Sequence, residues 1–189
     1  MSVRYEPANN WQGTDGARGW VSCGAFSAAT IVDAVSLGGC TPSGADVRDL
    51  TNEIEPEPDD PGLTIPQIAA ALRRFGCVLE DRTGRLRAAA RADLRAGRYL
   101  SASVWYTALG TYRSQKGDTD WGHQVTLGRI DATGTSVKLY DPLSRVKTGR
   151  WIPLVVVFGA MEAWGRESNL PTGQMRYARS RPIPFLAAA

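Results

Sequence analysis

The chain has 189 residues, 43% hydrophobic and 22% charged, with 20 glycines and 11 prolines. That is the make-up of one ordinary folded domain with at most a short tail, and it excludes a disordered or fibrous chain. A formal charge of +3, from 22 Lys and Arg against 19 acidic residues, is small and dispersed, which argues against a nucleic-acid partner. It is compatible with an anionic surface such as a cell wall, or simply with a mixed solvated exterior.

His123 is the single histidine. A haem with two His ligands is therefore excluded, a zinc site would need Cys or carboxylates, and any His-dependent chemistry has one candidate. Cys23, Cys40 and Cys77 form no CxxC pair and are odd in number, so they suggest neither a zinc knuckle nor a disulfide framework. The first ten residues lack the apolar run of a signal peptide, and the longest apolar stretch, Leu154 to Met161, is too short to cross a bilayer. The expectation is a protein made in the cytoplasm with free thiols and no membrane partner.

In chain order, the first twenty residues read as a loop. A helix apolar or small on nearly every face follows from Cys23, with Ser22 placed to cap it and Gly38-Gly39 to stop it, and such a helix is a buried central one. Ser43-Gly-Ala-Asp opens a second helix with Val47 and Leu50 inward, and the run Glu53 to Asp60 reads as an acidic surface loop. Thr64 and Gln67 form a capping box for a third helix, whose stripe is Ile65, Ile68, Ala69 and Leu72 and whose end is Gly76. Cys77-Val-Leu is a short strand, and Ala88 to Ala96 a fourth helix.

The period then changes to two. Leu100–Tyr106, His123–Ile130 and Val137–Asp141 read as strands, with a polar excursion, Thr111 to Asp120, between the first two. Trp151-Ile-Pro-Leu begins a last strand or turn, and Phe158 to Trp164 a short helix or its remnant. Helices followed by an antiparallel sheet make the class α+β. Residues 1–165 are the expected domain, and 166–189 a tail that frays or straps onto a partner.

Three residues stand at the element boundaries that nucleophilic chemistry needs. Cys23 lies at a helix N-terminus, where open N–H groups and the helix dipole favour a thiolate. His123 starts a strand and Asp141 ends the next. With a three-residue loop Ala132-Thr133-Gly134, paired positions sum to 266, so His123 and Asp141 are diagonal neighbours on one face; a loop of another parity puts them on opposite faces. In this reading Asp141 orients His123, which takes the proton of the Cys23 thiol. Each residue also has an ordinary structural role: core cysteine, satisfied histidine, turn aspartate. Cys40 and Cys77 lack such positions and read as structural.

Cys23-Gly-Ala-Phe-Ser-Ala-Ala, Gly62-Leu-Thr-Ile-Pro-Gln-Ile, Gly122-His-Gln-Val-Thr-Leu-Gly-Arg-Ile-Asp and Leu139-Tyr-Asp-Pro-Leu together resemble the papain-like cysteine peptidases. The likeness is greatest to the bacteriocin-processing, double-glycine type, and it spans about residues 20 to 164. It implies a papain-like fold, with a helical half around a central buried helix packed on a C-terminal antiparallel sheet. It also implies a Cys23–His123–Asp141 triad without metal or cofactor. The family places a glutamine about six residues before the nucleophile to complete the oxyanion hole. Here Ala17 stands there, and Gln12, or an amide of Asn9 or Asn10, is the substitute. One lost oxyanion donor costs ~10²–10³ in rate.

The resulting expectation is a cysteine hydrolase acting on peptide or amide bonds. A stand-alone domain of this resemblance, with an Ala-, Arg- and Gly-rich composition and a tail, suggests an actinobacterial or phage setting; family habit then implies peptidoglycan peptides as substrate and incorporation in a virion through the tail. The alternative is a weak or inactive relative serving as a tail- or capsid-associated component. Trp105, Tyr106 and Trp121 are candidate subsite walls.

Overall fold

The computed structural model describes residues 5–13, 22–54, 63–115 and 121–180. The helices are α1 (Cys23–Val35), α2 (Gly44–Ile54), α3 (Ile65–Arg74), α4 (Arg87–Arg95) and α5 (Leu154–Glu167). The strands are β1 (Leu79–Asp81), β2 (Leu100–Trp105), β3 (Gly122–Ile130), β4 (Ser136–Tyr140), β5 (Arg150–Pro153) and β6 (Tyr177–Ser180), with a 3₁₀ segment at Tyr106–Tyr112. They form one antiparallel sheet of order β1-β6-β2-β3-β4-β5.

α1 is buried from Gly24 to Ala34, as its small and apolar composition requires. Phe26, Ile31 and Val32 join Val47 of α2 and Ile65, Ile68 and Leu72 of α3 in one core. A second core gathers Val104, Val125, Leu127 and Leu139 of the sheet with Val157, Phe158 and Met161 of α5. Between Val125 and Leu127, Thr126 instead bonds Ser27 of α1 at 2.7 Å. Successive strand residues face opposite sides, so α1 and α5 lie on opposite faces of the sheet.

The third helix is capped as expected, with the Thr64 side chain accepting from Gln67 N–H and Gln67 Oε1 accepting from Thr64 N–H. Elsewhere the elements depart from the sequence reading. Ser22 precedes α1 but makes no side-chain cap bond, because its backbone is not in the extended conformation that aims a capping hydroxyl at the helix. The strand expected at Cys77 starts at Leu79. The expected helix remnant is a 14-residue helix: Leu154, Val157, Phe158, Met161 and Gly165 are buried, a helical spacing that dominates the β-branched run Val155–Val157.

The largest correction concerns the expected tail. β6 lies inside the sheet, pairing Leu79 with Ser180 on one side and Leu100 with Arg179 on the other. Tyr177 and Ala178 are fully buried, and Arg179 binds Asp93 and Glu80. The domain therefore runs through Ser180, past the expected boundary at 165. Without β6 the facing edges of β1 and β2 would have no ladder partner. Residues 181–189, most of the acidic run to Asp60, and 116–120 of the polar excursion lie outside the described residues.

Candidate active site

α1 runs in step with β3. Ser27 sits at Thr126, and the Cys23 thiol meets the backbone N–H of Gln124. Four helical residues rise ~6 Å and two strand residues ~7 Å, so the helix tip arrives at the start of β3. The first helical bond runs from Phe26 N–H to Ser22 O. Cys23, Gly24 and Ala25 thus present N–H groups with no intrahelical acceptor.

His123 and Asp141 are both buried, and His123 Nε2 lies 2.8 Å from Asp141 Oδ1. The same carboxylate oxygen accepts Leu143 N–H at 3.0 Å. With Nε2 engaged, Nδ1 is the ring nitrogen turned to Cys23; it has no nitrogen or oxygen partner of its own.

The register that joins His123 to Asp141 arises differently from the expectation. The turn holds four residues, not three: Asp131 N–H donates to Ser136 O, and Ile130 pairs with Val137. The Asp131 carboxylate accepts the N–H of Thr135 and Ser136, and Gly134 takes a positive φ of 71°. Alone, this turn would put His123 and Asp141 on opposite faces. A bulge between Leu127 and Ile130 absorbs one residue and restores the pairs Leu127–Leu139 and Thr126–Tyr140.

The electrostatics follow from these contacts. Burial would raise the Cys23 thiol, but His123 and the N–H groups of Gln124 and Gly24 hold it below its ordinary value. Burial would lower His123, yet Asp141 and the Cys23 thiol push it up to about 9. Asp141, also buried, is kept below the usual carboxylate range by His123, the Ser114 hydroxyl and Leu143 N–H. The site thus favours a thiolate beside an imidazolium. Cys77 is buried and pushed up to about 12, and Cys40 is half-buried.

The N-terminal segment straps the site from outside. Glu6 accepts from Arg129, Lys138 and Tyr140, and Tyr5 donates to Asp33 of α1. Asn9 was a candidate oxyanion donor, but its side-chain amide instead donates to the carbonyls of Asp141, Ser144 and Val146 at 2.9, 3.1 and 3.0 Å. It clamps the loop after Asp141, a role with no local sequence signal. Asn10 N–H donates to Thr30 of α1. Gln12 is buried, and its N–H donates to Pro142 O, which brings it beside the residue that follows Asp141. Ala17 lies outside the described residues.

Of the expected subsite walls, Tyr106 is wholly buried and belongs to the interior, where its ring stands edge-on to His123 at 4.9 Å. Trp121 is half-buried, 5.8 Å from the His123 ring. Trp105 stacks on Trp164 at 5.6 Å. The Trp164 indole also explains Gly122: a Cβ there would lie 2.3 Å from it. Among the described residues no group of three His, Cys, Asp or Glu side chains could hold a metal ion, and no helix is long and apolar enough to cross a membrane.

No family model and no curated protein matches the sequence. In three dimensions the chain is similar to a Bacillus anthracis protein assigned to the C39-like peptidases. The two share 15% identity and a TM-score of 0.54 over 85% of this chain and 88% of that one. The Pseudomonas avirulence protein AvrPphB shares 13% identity over 94% of this chain and 97% of its own, with a TM-score of 0.45. The first likeness, together with a helical half packed on an antiparallel sheet, shows that the chain has the papain-like fold.

Proposed function

We propose that this protein is a papain-like cysteine peptidase that hydrolyses amide bonds through Cys23, His123 and Asp141. The observation that carries the reading is the buried 2.8 Å contact of His123 Nε2 with Asp141, which leaves Nδ1 for a thiol at an open helix N-terminus. In the first step the Cys23 thiolate attacks the scissile carbonyl carbon, and the carbonyl oxygen takes up the charge. The N–H groups at the tip of α1 stabilise that oxyanion. Gln12, beside Pro142, is proposed to add a side-chain donor.

As the C–N bond breaks, His123 Nδ1 gives its proton to the leaving amine and a thioester remains on Cys23. Neutral His123 then takes a proton from water, the hydroxide adds to the thioester carbon, and the thiolate departs with the acid product. Asp141 holds the ring with Nε2–H inward throughout.

Peptidoglycan peptides are the first substrates to try, on the strength of the family resemblance together with a composition that suggests a phage or actinobacterial setting. Cys23→Ala is expected to abolish cleavage of a peptide or peptidoglycan substrate that the parent chain cleaves. The competing reading is a weak or inactive relative serving as a tail- or capsid-associated virion component. It requires that no peptide or peptidoglycan be cleaved and that the chain co-purify with particles.

A further inference from the structure

The Tyr106 hydroxyl is committed in three directions although the residue is fully buried. It accepts the backbone N–H groups of Ser114 and Gln115 at 2.9 and 3.0 Å. These two bonds use both lone pairs of the phenol oxygen, and only its proton is left to donate. That proton meets Asp141 Oδ2 at 3.4 Å.

The direction of the bond is therefore set by counting: Tyr106 donates and the carboxylate accepts. Two N–H groups donating into the oxygen polarise the O–H and strengthen it as a donor. The ionised state of the partner agrees, since burial and the Asp141 charge push the Tyr106 phenol up to about 12 and keep it protonated. Asp141 Oδ1 is taken by His123 and Leu143, so Oδ2 is the oxygen left to be fixed.

The same residue also bonds to both described sides of the excursion that precedes β3. Tyr106 N–H donates to Trp121 O, and the hydroxyl holds the far side at Ser114 and Gln115. Arg150 donates to the Ser114 hydroxyl, which itself bears on Asp141. Phenylalanine would fill the same space and keep the backbone bond to Trp121, but it would lose the three bonds of the hydroxyl.

We propose that Tyr106 is a positioning residue for the His123–Asp141 pair, and that its hydroxyl is the junction holding the Ser114–Gln115 segment against the site. This rests on the reading of Cys23, His123 and Asp141 as catalytic.

The test uses the single histidine, whose imidazole resonances need no residue assignment. In a Cys23→Ala background, which removes the thiol's share, Tyr106→Phe is expected to lower the His123 titration midpoint by about one unit as Asp141 loosens and hydrates. In the active chain Tyr106→Phe is expected to lower kcat about 10-fold or more with KM unchanged, since misplacement of catalytic groups costs up to ~10²-fold. A folded Tyr106→Phe variant with an unmoved midpoint overturns the proposal.

A lowered midpoint in a chain that cleaves nothing supports the positioning role while the peptidase reading fails. Should Tyr106→Phe not fold, amide exchange in the parent chain decides. Protected Ser114 and Gln115 amides support the junction, and exchange at the rate of free loop amides overturns it.

Discussion

Cys23 and Cys77 place the same side chain in opposite states. Cys77 sits in the helical core, packed among residues of α1 and α3, and burial drives its thiol to about 12. Cys23 is half-buried and desolvation opposes its thiolate too, yet it is held below its ordinary value because it stands where the two halves of the molecule meet. There a helix tip offers N–H groups and a strand start offers His123, with Asp141 behind. Burial by itself makes a thiol inert; burial beside a preorganised cation makes it a nucleophile.

The contrast is most exposed to alkylation. At pH 6 a thiol with a midpoint near 12 is about one part in a million thiolate, so iodoacetamide is expected to label Cys23 and leave Cys77 untouched in the folded chain. Equal labelling of the two, read by peptide mass spectrometry, would sink the assignment of Cys23 as an activated thiol.

A smaller effect is expected from Asp141→Asn. His123 loses the partner that raises it, its midpoint falls from about 9 toward the ordinary imidazole value, and kcat falls about 100-fold or more. In the parent chain activity should drop as pH rises through about 9, where the imidazolium is lost. The stability that His123 contributes is complete below about 6.5, the ordinary imidazole value, and is lost through the same rise to about 9, because its folded midpoint is the raised one. A parent whose activity and stability show no decline between pH 7 and 10 would contradict this pairing.

The smallest expected change is that of Gly122→Ala. Its methyl would press on the Trp164 indole and shift the start of β3, at a cost of about 1–3 kcal/mol in urea unfolding. As His123 moves, Cys23 should drift toward the unreactive state of Cys77. Retention of full stability and full Cys23 reactivity would show that the indole yields freely.

Much of the candidate site was legible in residue order. A cysteine opening a helix of small residues, a histidine opening an alternating strand and an aspartate closing the next are local signals; the helix starts at Cys23 as read, while β3 starts one residue before His123 and β4 ends one residue before Asp141. The hairpin was legible only in part. Asp131 and Gly134 announce a turn, but the bonds from the Asp131 carboxylate to two following N–H groups set it at four residues. A bulge at Gly128 and Arg129 then compensates, so the expected His123–Asp141 pairing emerges from two departures that cancel.

Sequence alone determined the α+β class, the buried central helix and the three chemical groups, because periodicity, capping and turn chemistry act over a few residues. Only the tertiary structure decided that β6 fills the gap between β1 and β2, since four residues cannot display a pattern and their ladder partners lie some eighty to a hundred positions away. It alone also decided that Asn9 clamps the Asp141 loop and that the Tyr106 hydroxyl links the Ser114–Gln115 segment to Asp141. Those roles belong to hydrogen bonds between distant segments, whose donors and acceptors are common residues until the fold brings them together.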